Sequence, residues 1–538
     1  MKKIQLSIIT LAVLLVFSVG FTGCRKLDVP VESQYVNSNF PVTTADYTAL
    51  LGTMYANLAS NYAITYWRMQ ELSTDEAIIP ARDGNFDDGG QYRQMHYHSW
   101  NFDHPYVTGI WQWGFGGGIT NCNRLITVIA SSKLNDSTKA AFTAEIRAMR
   151  ALYYFFMMDT YGNVPVYTEY SVTTQPATQT RDKVFAFIES ELKAVTAQLP
   201  AKTNNATTNK LEYGRPTKGM AFALLAKMYL NAGVYVGTTR WADCVAMCDS
   251  VQNNANYFLD ARFRDIFLPT NGSQINETIF AVPYDQQIPG NQFTRFGFSY
   301  YLAPAYGMNV GLSIAMSTTH EFYNRFNLAG DVRTNTWLVG PQYYPDGQGG
   351  FTAQPVYYPN TTTQIVITPD LILVPPKPMD VGNTIASQAE GIRSIKYYPD
   401  PTIIQATRLN GNDVPVFRLA DVYLMKAEAI LRGATATTVN GTLQTPDWLV
   451  TQLRTRAGAP AAVGIDLPGL LDERARELSW EGWRRNDLIR YGEYEVDYPF
   501  AGDPLSMNKD PKRRLFPIPI TELKLNTNLV QNDGYPSK

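Results

Sequence analysis

The sequence predicts a mainly α protein, with paired helices forming a scaffold and a loop-rich side carrying short strands. Three observations predict it. Apolar residues recur at helical spacing in stretches of roughly 15 to 25 residues separated by short joints. The pattern fails between residues 257 and 415, where Pro, Gly, Asn, Tyr and Thr accumulate, and it returns from residue 416 onward. At 538 residues and 45% apolar composition, the chain is long enough for a sizeable core. Its 46 basic and 48 acidic residues nearly cancel, leaving a net charge of -2 with no basic block, so no nucleic-acid partner is expected.

The first element, MKKIQLSIITLAVLLVFSVGFTGC, joins two lysines to an apolar run too short to span a bilayer and then to small residues. It reads as an export signal over residues 1–23. Phe21-Thr22-Gly23-Cys24 resembles a bacterial lipobox, with Phe21 where leucine is usual, so Cys24 is the expected lipidation site. Two or more acyl chains there give a stable anchor. Residues 24–42 lack periodicity and read as a lipidated tether. No other apolar segment has the length of a membrane helix.

Residues 43–256 form an N-terminal helical region. TADYTALLGTMYANLAS places Tyr47, Leu50, Leu51, Met54, Tyr55 and Leu58 on one face. Ile110 to Ile129 pairs with TKAAFTAEIRAMRALYYFFMMDTYG, ended by Gly162; RDKVFAFIESELKAVTAQLP closes at Pro200. GRPTKGMAFALLAKMYLNAG is answered by TTRWADCVAMCDSVQNN, with Ala221, Ala223, Ala226 and Ala232 where helices would touch. Stacked hairpins of the tetratricopeptide kind fit this alternation, and an irregular bundle is the alternative. Cys244 and Cys248, four apart on a helix, have β-carbons about 5–6 Å apart, too far for a disulfide, so buried thiols are expected. A Gly-rich insertion near residues 80–106 interrupts the helices. Residues 257–415 are the loop-rich region, and residues 416–538 return to helices with FRLADVYLMKAEAILRG, PDWLVTQLRTRAG and RARELSWEGWRRNDLIRYG.

The last of these packs charge beside two tryptophans. Leu471, Ala475, Leu478, Gly482, Leu488 and Ile489 form an apolar stripe, extended by Trp480 and Trp483. Arg474 with Glu477, Glu481 with Arg484 and Arg485, and Asp487 with Arg490 stand three or four apart. The expectation is one half-buried helix with its charges tied to neighbours. Glu477 and Glu481 have the separation of a retaining glycosidase pair, but such carboxylates flank a bond from opposite sides, and two groups rising from one helical face do not.

ERARELSWEGWRRNDLIRYG resembles the signature of the SusD/RagB family of outer-membrane nutrient-uptake lipoproteins, the SusD-like proteins of Bacteroidetes type. ELSTDEAIIP, NCNRLI, EIRAMRALYYFFMMDTYGNVPV, GRPTKGMAFALLAKMYLNAG, FRLADVYLMKAEA and FPIPITELKLNTNLVQNDGY resemble the family in the same order. The resemblance implies a SusD-like fold: a tetratricopeptide-like scaffold with a variable, looped ligand side. It implies a cell-surface lipoprotein that caps a SusC-like TonB-dependent transporter in the outer membrane, captures oligosaccharides and hands them over without cleaving them. A non-glycan nutrient such as a peptide in the same role is the alternative, and a secreted glycoside hydrolase a weaker one, since no G-x-S-x-G or comparable constellation appears.

Sugars are held by flat rings and by hydrogen-bonding side chains, and 33 Tyr, 25 Phe and 9 Trp supply rings in abundance. Two irregular clusters stand out. The first offers Arg82, Asp83, Phe86, Asp87, Tyr92 and Trp100; the second offers Tyr300, Tyr301, Tyr306, Trp337 and Tyr343. The candidate ligand residues are Arg82 and Asp83 as polar contacts, Trp100 and Trp337 as stacking platforms, and Phe86, Tyr92, Tyr300, Tyr301 and Tyr343 around them. No catalytic residue, metal or cofactor is expected. His96, His98 and His104 lack a carboxylate or cysteine partner for zinc. Asp83, Asn85 and Asp87 open like a calcium loop, yet Asp88 replaces the required Gly and Gln94 the closing Glu, which leaves a structural calcium only in some other geometry.

Overall fold

The computed structural model describes residues 40–171, 174–286, 290–374, 376–498, 503 and 505–537. The leader and Cys24 lie outside the described residues. The chain divides into two units, residues 1–48 and 49–538. In the first, Asp46 closes the start of helix Thr44–Asn61: its carboxylate accepts the Val42 and Thr43 N–H groups at 2.9 and 2.8 Å, and its own N–H donates to Thr43 Oγ1 at 3.2 Å. That reciprocal cap satisfies donors a helix start leaves open.

In the second unit, helices pack largely in sequence. Thr120–Ser131 packs on Asp136–Tyr161, which packs on Arg181–Val195; Lys218–Leu230 packs on Trp241–Gln252. Leu419–Leu431 joins Trp241–Gln252, Pro446–Arg456 and Leu467–Leu478. Their starts are written in the sequence. Asn135 accepts from the Thr138 N–H at 2.9 Å, Thr217 from Met220 at 3.2 Å and Thr445 from Trp448 at 3.2 Å. Cys244 and Cys248 are buried free thiols on one helix, as their spacing predicts. Among the described residues, no helix is long and apolar enough to cross a membrane.

Two fully buried strands, Thr278–Val282 and Val414–Arg418, pair antiparallel from Val282 opposite Val414 to Thr278 opposite Arg418. The ladder brings the two ends of the looped region together on the helical frame. Between them, short two-stranded ladders and irregular turns surround their own apolar cluster, which includes Phe298, Leu302, Leu338, Ile367 and Ile395.

The charged signature departs from expectation. Instead of one helix there are two, Leu467–Leu478 and Arg484–Tyr491, joined by a turn in which Trp480 sits at φ +61° and Gly482 at φ +83°. A positive φ at tryptophan is strained, and here distant groups hold it. The Trp480 N–H donates to the Glu76 carboxylate, the Gly482 N–H to Glu71 Oε1 at 2.5 Å, and Trp67 Nε1 to the Trp480 carbonyl at 3.0 Å. Asp75 binds Arg484 through both oxygens, at 2.7 and 2.6 Å. ELSTDE is therefore the clamp on SWEGWRR. Burial pushes the Glu71 carboxyl up to about 8.

From Arg474 to Arg490 the signature is buried rather than half-buried, and of the pairs expected within it, Asp487 with Arg490 forms, at 2.7 Å. Its other charges face different elements. Glu477 takes Arg418 at 2.6 Å, Arg333 at 2.8 Å and Arg456. Glu481 takes Lys396 at 2.6 Å and Arg418 at 2.7 Å, while Arg474 takes Asp487 at 2.7 Å and Asp421 at 3.1 Å. Burial alone would raise the Glu477 carboxyl; Arg456, Arg418 and Arg333 outweigh it and hold the group well below the usual carboxylate range.

Candidate ligand-binding face

The Gly-rich loop begins with a tight turn. Arg82 and Asn85 exchange N–H···O bonds at 3.1 and 2.9 Å, and the two residues between them, Asp83 and Gly84, have φ of +52° and +70°. That is the primed-turn pattern, which Asp-Gly favours. The turn is then fastened to residues 379–390. The Ala81 N–H donates to the Met379 carbonyl at 2.7 Å, Asp83 to Gly382 at 3.0 Å, and Gly84 to Asn383 Oδ1 at 2.9 Å. Arg82 lies beneath, fully buried, donating to the Glu390 carbonyl at 3.0 Å and Ser317 Oγ at 3.1 Å.

Asp83 therefore stands exposed at the edge of helix Ile385–Gln388. Across that edge the Tyr300 hydroxyl donates to Gln388 Oε1 at 2.6 Å. Burial, its contact with Tyr301 and the nearby Asp83 carboxylate push the Tyr300 phenol above its ordinary value, so it remains a donor. The Tyr300 and Tyr301 rings lie 4.2 Å apart, and Tyr358 meets Tyr301 edge-on at 5.0 Å. Tyr300, Tyr301, Tyr344, Tyr358 and Tyr398 are all partly buried against the loop-region cluster. The result is a tyrosine ledge on a fixed base, bordered by the exposed Asp83, Asn85 and Asn383. Beside the loop, Asn85, Asp87, Arg93, Lys377 and Asp380 line a cavity of about 310 Å³.

The predicted residues divide sharply. Asp83, Tyr300 and Tyr301 come together on the ledge; Phe86, half-buried, stays on the same loop at φ +67°. Tyr343 is half-buried on strand Tyr343–Pro345, and it is the next residue, Tyr344, that packs on the cluster. Four expectations are corrected by burial. Arg82 is a strut under the loop, with no fork left to offer a ligand. Trp100, 1% exposed, donates from Nε1 to the Tyr535 hydroxyl at 3.1 Å and packs its ring 4.4 Å from Phe516, fastening the C-terminal segment. Trp337, 3% exposed, lies in the core among Phe322, Phe326 and Trp480. Tyr92 is buried near Tyr106. Tyr358, Gln388 and Asn383 escaped the sequence reading; the second Tyr-Tyr-Pro, at residues 357–359, was the available signal.

His96, His98 and His104 are internal as well. His98 Nε2 contacts the Ser73 carbonyl at 2.8 Å, and His104 Nδ1 accepts the Tyr106 N–H at 3.1 Å, capping helix Pro105–Trp111. His96 closes a short helix, Gln91–His96. Asp87 pairs with Arg93 at 2.8 Å. Among the described residues, no group of three or more His, Cys, Asp or Glu is placed to hold a metal ion.

A family model described as the SusD family matches residues 276–535, and another described as starch-binding associating with outer membrane matches residues 27–230. The chain is 26% identical over 519 residues to the starch-binding protein SusD of Bacteroides thetaiotaomicron, covering 88% of this chain and 86% of that one. It is 25% identical over 530 residues to a SusD-like protein of Bacteroides ovatus, covering 92% and 84%. A laminarin-binding SusD-like protein superposes with a TM-score of 0.68 at 22% identity, over 92% of this chain and all (100%) of that one. Surface glycan-binding protein A of Bacteroides thetaiotaomicron, in complex with laminarihexaose, superposes with a TM-score of 0.67 at 19% identity, over 91% and 100%.

Proposed function

Because the chain belongs to the SusD family, we propose that it is a cell-surface lipoprotein that binds oligosaccharides on the tyrosine ledge and delivers them to a SusC-like, TonB-dependent outer-membrane transporter. A lipid on Cys24 anchors it, and the looped side faces the ligand. Asp83, Phe86, Tyr300, Tyr301 and Tyr343 are the residues kept from the sequence reading, joined by Tyr358 and Asn383.

The observation that carries the reading is the Tyr300–Tyr301–Tyr358 group, three partly exposed rings within 4.2 and 5.0 Å of one another beside an exposed carboxylate. Rings suit the apolar faces of sugars, and fixed polar groups suit their hydroxyls. The names of its relatives, starch-binding and laminarin-binding, support a glycan as the ligand class. Binding proceeds without bond cleavage: Glu477 and Glu481 are enclosed and held by arginines and a lysine.

Affinity electrophoresis in gels containing starch or laminarin tests this. Retardation by at least one glycan is expected, with no new reducing ends. Tyr301→Ala should weaken it roughly tenfold, the equivalent of losing about 1.4 kcal/mol of stacking. Unchanged retention in that variant removes the ledge from the binding face; release of sugar products replaces the binder with a hydrolase.

A further inference from the structure

A large cavity lies away from the ledge, on the helical frame. It encloses about 820 Å³ between the ends of helices Asp136–Tyr161 and Arg484–Tyr491, the start of Arg181–Val195 and the segment around Lys512. Its charges are unevenly matched. Arg490 is tied to Glu428 at 2.6 Å and Asp487 at 2.7 Å, Arg514 to Glu495 at 2.6 Å, and Lys512 to Asp510 at 2.9 Å. Asp159 accepts from the Tyr235 hydroxyl at 2.6 Å and Asn486 at 2.8 Å and stands 3.9 Å from Arg485. Asp533 is exposed at the rim.

Arg181 has no such partner. Among the described residues it pairs with no carboxylate; its side chain makes a long 3.5 Å contact to the Asp159 carbonyl, and its buried Nε has no partner. The guanidinium is stacked on the Tyr235 ring at 4.3 Å, which fixes its plane and leaves its donor edge for something else. Its backbone N–H donates to Asn163 Oδ1 at 2.9 Å, and Asn163 lines the same cavity. Behind them, Arg485 is fully buried with Nε and Nη1 lacking hydrogen-bond partners. Buried donors are seldom left unmade. Helix Arg181–Val195 adds its N-terminal partial charge, and the Thr180 side chain does not cap it.

We propose that this cavity is an anion site distinct from the ledge, taking a single oxyanion, the carboxylate of an acidic sugar or a sulfate, on the stacked fork of Arg181 with Asn163 and Lys512 beside it. A planar fork facing a confined, donor-rich cavity selects such groups by geometry as well as charge. Neutral sugars gain nothing there.

Isothermal titration with sodium sulfate and with sodium glucuronate, at constant ionic strength set by chloride, tests the site and distinguishes the two sources. Saturable binding of at least one is expected, at least tenfold weaker in Arg181→Gln and intermediate in Arg181→Lys, which keeps the charge but loses the fork. Lys512→Gln, at the surface, should weaken it less and serves if Arg181→Gln does not fold. Tyr301→Ala should leave it unchanged. Absence of saturable binding by both anions in the wild type, or binding as tight as the wild type in both Arg181→Lys and Lys512→Gln, overturns the proposal.

Discussion

Glu477→Gln isolates what the charged signature does. The carboxylate sits in a connected group of six cations, Arg333, Lys396, Arg418, Arg454, Arg456 and Arg476, and five acids, Glu277, Asp331, Glu473, Glu477 and Glu481. Glutamine keeps the shape but removes the charge that faces three guanidiniums, and turns an N–H₂ toward one of them. Removing one partner of a buried ion pair costs about 3–5 kcal/mol. The second unit spans 490 residues (538 minus 48). At about 2.1 cal/mol/K per residue its unfolding entropy is about 1 kcal/mol/K, so the melting midpoint should fall by about 3–5 °C. Calorimetry reads the midpoint, and gel retardation at 20 °C reads glycan binding, expected unchanged. A midpoint kept within about 1 °C, or binding lost from a fully folded variant, would refute the architectural role of Glu477.

Three further outcomes follow from burial. Trp100→Ala removes a ring that staples the C-terminal segment and should cost about 3–5 kcal/mol in denaturant titration, with glycan retention unchanged below the unfolding transition. Burial lowers His96 to about 4, His98 to about 3 and His104 to about 4. The folded chain thus resists protonation that the unfolded chain accepts below pH 6.5, so this contribution is complete above 6.5 and is lost as pH falls, by about 2 kcal/mol per imidazole at pH 5. Glu71, raised to about 8, acts with the opposite sign, its contribution fading as pH rises from 4.5. His96→Phe should flatten the acid-side loss by about a third in pH-dependent unfolding curves. Cys122, Cys244 and Cys248, all buried, should react with a thiol reagent only after denaturation.

What the sequence reveals depends on how far away the deciding partner lies. Helices are legible because their caps and apolar faces are local: Asn135, Thr217 and Thr445 each act within three residues. The break at 479–483 is decided by Glu71 and Glu76, more than 400 residues upstream, and Gly482 was its only local sign. The same holds for the rings. Trp100 and Tyr301 both occur in irregular stretches, and nothing nearby separates them; Tyr535 and Phe516 bury the first, while the loop cluster leaves the second partly open. Tryptophan, with its large apolar surface, gains most from enclosure, and Trp100 and Trp337 are both enclosed.

The concentration of charge in one signature has a physical sense. Buried ion pairs add little net stability, because desolvation offsets their attraction, but they penalise any arrangement that leaves one partner unpaired. Here the pairs join the signature to Arg418 on the strand that closes the looped region, to Arg333 and Lys396 inside that region, and to Arg456 on the helical frame. Trp480 completes the junction, its ring 5.1 Å from Trp67 on the frame and 6.3 Å from Trp337 on the looped side. A register slip anywhere in the looped region would strand a guanidinium in the core. The loops that carry the tyrosine ledge can therefore differ in composition while their roots stay fixed, and it is those roots, Arg82 under one and Arg393 under another, that are fully enclosed.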